Sequence, residues 1–134
     1  MIAVDTSVVV AAFASWHEGH SAAVRALLRR PSLVAHVALE SFSVLTRLPP
    51  PHRAAPRIVA AFLEARFPGP FLTLPADEHR RLVATAVGLG LAGGAVYDAL
   101  VAATARHSGA LLLSRDRRAA RTYEALGARY ELVA

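Results

Sequence analysis

The chain has 134 residues, 15 basic and 10 acidic, with six histidines, a formal net charge of +5 and no cysteine. That length suits a single domain, residues 1–134, able to bury a core without disulfides or a structural metal, and the missing thiols exclude disulfide frameworks, thiolate nucleophiles and cysteine-ligated zinc. Every basic residue is arginine, which excludes P-loop and Schiff-base lysine chemistry and points to a polyanionic partner, although a GC-rich genome produces the same alanine- and arginine-rich composition.

No segment approaches the roughly 18 uninterrupted apolar residues of a membrane span. The N-terminus MIAVDTSVVV lacks the basic residues and cleavage site of a signal peptide. A soluble, cytoplasmic protein is expected.

In chain order, Ile2 to Asp5 reads as strand one, and Thr6 or Ser7 can cap a helix through about Ala14. A second helix is predicted from about Glu18 to Arg30, where Pro31 stops it. Leu33 to His36 is strand two, and Val37 to Leu48 the next helix, ended by Pro49-Pro50-Pro51. Pro56 suits the first turn of a helix whose Ile58, Val59, Phe62 and Leu63 keep a helical period up to Pro68-Gly69-Pro70. Phe71 to Leu74 is strand three. Ala76 or Asp77 opens a helix to about Val87, and Gly88 to Gly94 is a loop. Ala95 to His107 is helical and closed by Gly109. Ala110 to Ser114 is strand four, Asp116 to Leu126 a helix ended by Gly127, and Ala128 to Val133 strand five. Apolar runs alternating with helical patterns predict an α/β fold with a parallel sheet covered by helices.

With so few acids, each can be asked what it does. Asp98 lies in AVYDALVAATA, where its helical neighbours Gly94, Ala95, Val101 and Ala102 offer no base to pair with. A carboxylate among alanines and valines faces a cleft or the sheet, unless it is an exposed acid at a helix N-terminus. Asp5 ends strand one, at the sheet edge where ligands bind in open parallel sheets, although an N-capping aspartate would look the same. Glu40 has His36, Val37, Ser43 and Val44 as helical neighbours and no local arginine. Asp116 follows strand four in LLLSRDRRAA, where it could simply cap a helix.

Geometry joins them. If strands one, two and four are parallel, Asp5, Glu40 and Asp116 project from one edge, and Asp98 reaches them from the helix leading into strand four. Two charges about 5 Å apart repel by roughly 3 kcal/mol at an effective dielectric of about 20. Several such pairs are a serious cost against a total stability of about 5–15 kcal/mol. A hard divalent cation with oxygen ligands, Mg²⁺ or Mn²⁺, relieves it.

The segments VDTSVVV, ALESFSVLTRL, VYDALVAATA and LLLSRDRRAA resemble, in order and spacing, the four acidic motifs of PIN-domain nucleases, in particular the VapC-like toxins of type II toxin–antitoxin systems. The resemblance spans Asp5 to Arg118 and shows no departure at the four acids. It implies a three-layer α/β/α fold with a parallel sheet of about five strands in the order 3-2-1-4-5. It also implies Mg²⁺- or Mn²⁺-dependent endoribonuclease activity, with Asp5, Glu40 and Asp98 as principal metal ligands and Asp116 on a second ion or acting through water. Ser7 and Ser114 would be supporting hydroxyls. A homodimer and silencing by a cognate VapB-like antitoxin reaching the acidic pocket are further implications.

The chemistry expected is hydrolysis of RNA by metal-activated water, leaving a 5′-phosphate and a 3′-hydroxyl. A 2′,3′-cyclic product would instead favour histidine acid–base catalysis; of the six histidines only His36 adjoins the expected cleft. Arg115, Arg117 and Arg118, with Arg121, are candidates for RNA phosphate contact or an ordinary solvated face. Tyr97 and Trp16 can stack on bases, but aromatics at helical spacing are more often core. Two other classes compete: a noncatalytic PIN-like protein-interaction domain, against which the full set of acids argues, and a receiver- or dehalogenase-like phosphotransfer domain, which needs a lysine this chain lacks.

Overall fold

In the computed structural model, which describes residues 1–134, the elements alternate as β1 (Ile2–Val4), α1 (Thr6–Phe13), α2 (His20–Leu27), β2 (Ser32–Leu33), α3 (Ala35–Thr46), α4 (Pro56–Arg66), α5 (Ala76–Leu89), α6 (Ala95–His107), β3 (Leu111–Ser114), α7 (Arg117–Ala125) and β4 (Tyr130–Leu132). The four strands form one sheet in the order β2-β1-β3-β4. Every pairing is parallel, with Val4 opposite both Leu33 and Leu113, and Leu113 opposite Glu131. A parallel sheet needs cover on both faces; accordingly Ala3, Val4, Leu112 and Leu113 are completely buried.

Alanine determines how closely the layers approach. Ala99, Ala102 and Ala105 on α6 and Ala119 and Ala120 on α7 belong to one continuous core with Val4, Val8, Leu33, Leu45 and Leu112. Thr104 is buried among the α6 alanines with its hydroxyl donating to the Leu100 carbonyl at 2.7 Å, so its own polar atom is not left unpaired. Pro56 starts α4 at its first turn, and Gly90, at φ 68°, ends α5 in the left-handed conformation that glycine adopts without strain.

The expected sheet order is kept, but strand three is not a strand. Residues 71–74 reach the sheet through a single parallel bridge, Val34 to Leu72, in which the Leu72 amide donates to Leu33 and its carbonyl accepts from Ala35, both at 2.9 Å. Pro70 has no amide hydrogen to extend the ladder on one side, and on the other α3 begins at Ala35 and takes the partner strand away. Strand two is shorter than expected for the same reason, and His36 is helical. The second helix starts at His20 rather than Glu18, and α5 continues two residues past Val87.

Because β1, β2 and β3 run in parallel, their C-terminal ends lie at one edge. The segment after β1 begins with Asp5, that after β2 leads into α3 and Glu40, and that after β3 carries Arg115 and Asp116. No helix is long and apolar enough to cross a membrane.

Candidate active site

Asp5 sits where β1 turns into α1. Its amide still belongs to the sheet, donating to Leu113 at 3.1 Å, while its side chain caps α1, with Oδ1 accepting from the Ser7 amide at 3.0 Å and the Val8 amide at 3.4 Å. Asp5 is therefore the cap, in place of Thr6 or Ser7. The Ser7 hydroxyl also donates to Oδ1, at 2.5 Å, and accepts from the Arg115 amide at 2.8 Å, which ties the loop after β3 to the end of β1. Oδ2 accepts from the Tyr123 hydroxyl at 2.7 Å. Asp5 is 3% exposed and Tyr123 1%. Burial raises the Asp5 carboxyl, opposed by hydrogen bonds from Ser114, Ser7, Tyr123 and the Val8 amide. Burial and the charge and hydrogen bond of Asp5 also push the Tyr123 hydroxyl well above the ordinary tyrosine range. The proton therefore stays on Tyr123, which acts as a donor.

Glu40, Asp98 and Asp116 line one pocket of about 410 Å³, with Thr6, Ser7, His17, Arg115 and Arg118 around them. Glu40 projects from the second turn of α3; its Oε1 accepts from the Thr6 hydroxyl and its Oε2 lies 3.5 Å from His36 Nε2. Asp116 caps α7, accepting from the Arg118 amide at 2.9 Å and the Ala119 amide at 3.1 Å through Oδ1. The buried Ser114 hydroxyl accepts from the Asp116 amide at 3.0 Å. Capping thus fixes both aspartates at strand ends, with the Ser7 and Ser114 hydroxyls bonded to them.

Asp98, in the first turn of α6, belongs to none of the three ion pairs in the molecule. Its carboxyl is pushed up to about 6 by burial, then by the charges of Asp116, Glu40 and Asp5; Arg118 opposes them only in part. Three acids far from it in the chain thus bear on Asp98. Another pocket of about 410 Å³, lined in part by Glu78, Arg81 and His107, makes the contrast: there the acid is paired with Arg81.

The donor set is all oxygen, with His36 and His17 at its margin, which suits a hard cation such as Mg²⁺ or Mn²⁺. The uncompensated charge around Asp98 is what such an ion would relieve. As the side chains stand, no three of these groups are spaced to hold one ion. Asp5 contributes no surface to the pocket, and three donors already crowd its Oδ1, leaving Oδ2 the freer oxygen.

Of the arginine group, Arg115 and Arg118 line the pocket, whereas Arg117 and Arg121 are exposed on α7 and do not. Sequence reasoning passed over Thr6, His17 and Tyr123. His17 enters through the α1–α2 loop, which closes onto Arg115 so tightly that a β-carbon on Gly19 would stand 2.1 Å from the guanidinium carbon. No local pattern signals that approach. Tyr123 is a buried aromatic at helical spacing, and only tertiary structure shows that its hydroxyl meets Asp5. Trp16 and Tyr97, expected as core, are 51% and 55% exposed.

Comparison with known proteins agrees with this arrangement. The PIN domain family matches residues 2–125. Ribonuclease VapC40 of Mycobacterium tuberculosis (strain ATCC 25618 / H37Rv) is 56% identical over 133 residues, 99% of each chain. Ribonuclease VapC27 of the same strain is 42% identical over 127 residues, 94% of this chain and 92% of the relative. The matched region contains all four acids and both capped strand ends, and on this evidence the chain belongs to the PIN-domain family, among the VapC ribonucleases.

Proposed function

We propose that this chain is an endoribonuclease, the toxin of a VapBC-type pair, and that Asp5, Glu40, Asp98 and Asp116 hold one or two Mg²⁺ or Mn²⁺ ions for hydrolysis of RNA phosphodiester bonds. The observation that carries the reading is the unpaired Asp98 carboxylate, raised by burial and by the charges of three other acids, two of which line the same pocket. A bound divalent ion would neutralise phosphate charge and lower the pKa of a coordinated water. The protein's own part is positional. Thr6 and His36 aim Glu40; Ser7 and Tyr123 fix Asp5; the α7 amides fix Asp116; Arg115 and Arg118 at the rim can pair with RNA phosphates.

Water is the nucleophile in this scheme and the 2′-hydroxyl is a bystander, so products should carry 5′-phosphate and 3′-hydroxyl ends. Incubation with total cellular RNA, with Mg²⁺ or Mn²⁺ and then with a chelator, followed by mapping of the new 5′ ends, tests activity and metal together. Cutting that persists in chelator, or 2′,3′-cyclic ends, would move the chemistry to histidine. Asp98→Asn should abolish cutting and leave the fold intact. Cutting at the wild-type rate by that variant would favour a noncatalytic interaction domain.

The site also suits control by a partner. A VapB-like antitoxin that places a cationic side chain among these acids would supply the missing counter-charge and block the pocket. A homodimer is proposed as well, for which Val83 and Val87, one turn apart on α5 and 66% and 78% exposed, offer an apolar face.

A further inference from the structure

The acids account for the phosphate that is cut and leave open what holds the nucleotides on either side of it. Two aromatic pairs neighbour residues of the pocket. Trp16 stacks on His52, with ring centroids 4.0 Å apart and planes 29° from parallel, and Tyr97 stacks on His36 at 5.0 Å and 4°. Trp16 is adjacent in the chain to His17, a pocket residue, and Tyr97 to Asp98. His36 lies against Glu40.

We propose that the Trp16–His52 and Tyr97–His36 stacks are nucleobase platforms that hold single-stranded RNA across the acidic pocket, with one base on each side of the phosphate to be cut. The inference rests on the ribonuclease reading and adds which side chains hold the bases beside the cut. An isolated exposed aromatic is ordinary. These two differ in that each half-exposed ring is braced by an imidazole, so less freedom is lost when a base stacks on it. They adjoin different parts of the pocket: His36 lies against Glu40, whereas the loop carrying Trp16, His17 and Gly19 closes onto Arg115 after β3. Arg115 and Arg118 on the pocket wall supply charge for the backbone between the bases. Bases within a duplex are stacked on each other and cannot use such rings; those of loops and single strands can.

Trp16 is the sole tryptophan, so its fluorescence reports on one platform directly. With Mg²⁺ present and Asp98→Asn suppressing cutting, oligouridylate and oligoadenylate octamers should both quench it to saturation, because stacking tolerates any base, whereas the same strands annealed to each other should not. In the cleaving protein, with the single-stranded RNA identified by end mapping, Trp16→Ala and Tyr97→Ala should each raise KM by about tenfold with kcat little changed, and Trp16→Phe and Tyr97→Phe should restore most of the loss. An unaltered KM in both alanine variants, or unquenched fluorescence while a labelled octamer demonstrably binds, would overturn the platforms, leave the ribonuclease reading standing and mark the exposed rings as protein-docking features. A fall in kcat without rescue by phenylalanine would overturn them in favour of a structural role. A wild-type chain that neither binds nor cuts RNA would end both readings.

Discussion

At Asp98, burial and three neighbouring acids push the carboxyl from the ordinary 3.8 to about 6. Its folded pKa therefore exceeds its unfolded one, and between about pH 4 and pH 6 the folded protein holds more protons than the unfolded chain. Without metal, stability should fall as pH rises through that window and stay low above it. Mg²⁺ should raise the thermal midpoint much more at pH 7.5 than at pH 5, where protons compete for the same oxygens. Asp98→Asn, which removes the charge at nearly constant shape, should melt higher than the wild type at pH 7.5 without metal and should lose most of the Mg²⁺ response. Midpoints that ignore both pH and Mg²⁺ would remove the argument from Asp98. Tyr123→Phe tests the other end of the network. It strips a donor from a buried charge and should cost about 1.5–3 kcal/mol in denaturant unfolding, with Asp5 protonating more readily than before. A cost near zero would mean that Asp5 is not charged in the fold.

At the scale of elements, the site is made by helix caps at strand ends. Asp5 caps α1 and Asp116 caps α7, so the interactions that start these helices also fix two of the four acids. Asp116→Ala should cost about 1 kcal/mol through the lost cap as well as activity, and calorimetry with a cleavage assay separates the two. Gly19 governs a closer approach. In Gly19→Ala the β-carbon occupies the place of the Arg115 guanidinium, a flexible group that can swing away, so the fold should survive. Arg115 would leave the pocket, and RNA binding should weaken and lose part of its salt dependence. An unchanged salt slope would show that Arg115 does not meet phosphate. The elements themselves were largely readable: Asp5, Glu40, Asp98 and Asp116 each stood at a recognisable place in a strand–helix pattern, and α4, α6 and β3 lie close to where periodicity and Pro/Gly punctuation put them. Strand three was not, because its apolar residues fit a strand while Pro70 removes an amide on one side and the start of α3 at Ala35 removes the partner on the other. Arg117 was grouped with Arg115 and Arg118 by sequence distance, whereas helix periodicity turns it away.

For the whole molecule, parallel strands make residues distant in sequence meet, and alanine lets the helices close over the sheet. The resulting pocket gathers acids in a chain whose net charge is +5, so arginines can draw in a polyanion while Asp98 stands without an ion pair. Sequence patterns reach as far as that convergence. They do not reach the supports drawn from other elements, such as Tyr123 on Asp5, Thr6 on Glu40 and the α1–α2 loop on Arg115, because each depends on how layers pack. The most direct test is an anomalous-difference map from crystals soaked in Mn²⁺ above pH 7. The expected result is a peak bridged by at least two of Glu40, Asp98, Asp116 and Asp5 at about 2.0–2.3 Å, lost in Asp98→Asn. Well-ordered carboxylates with no peak among them, or Mn²⁺ bound only elsewhere, would contradict the account.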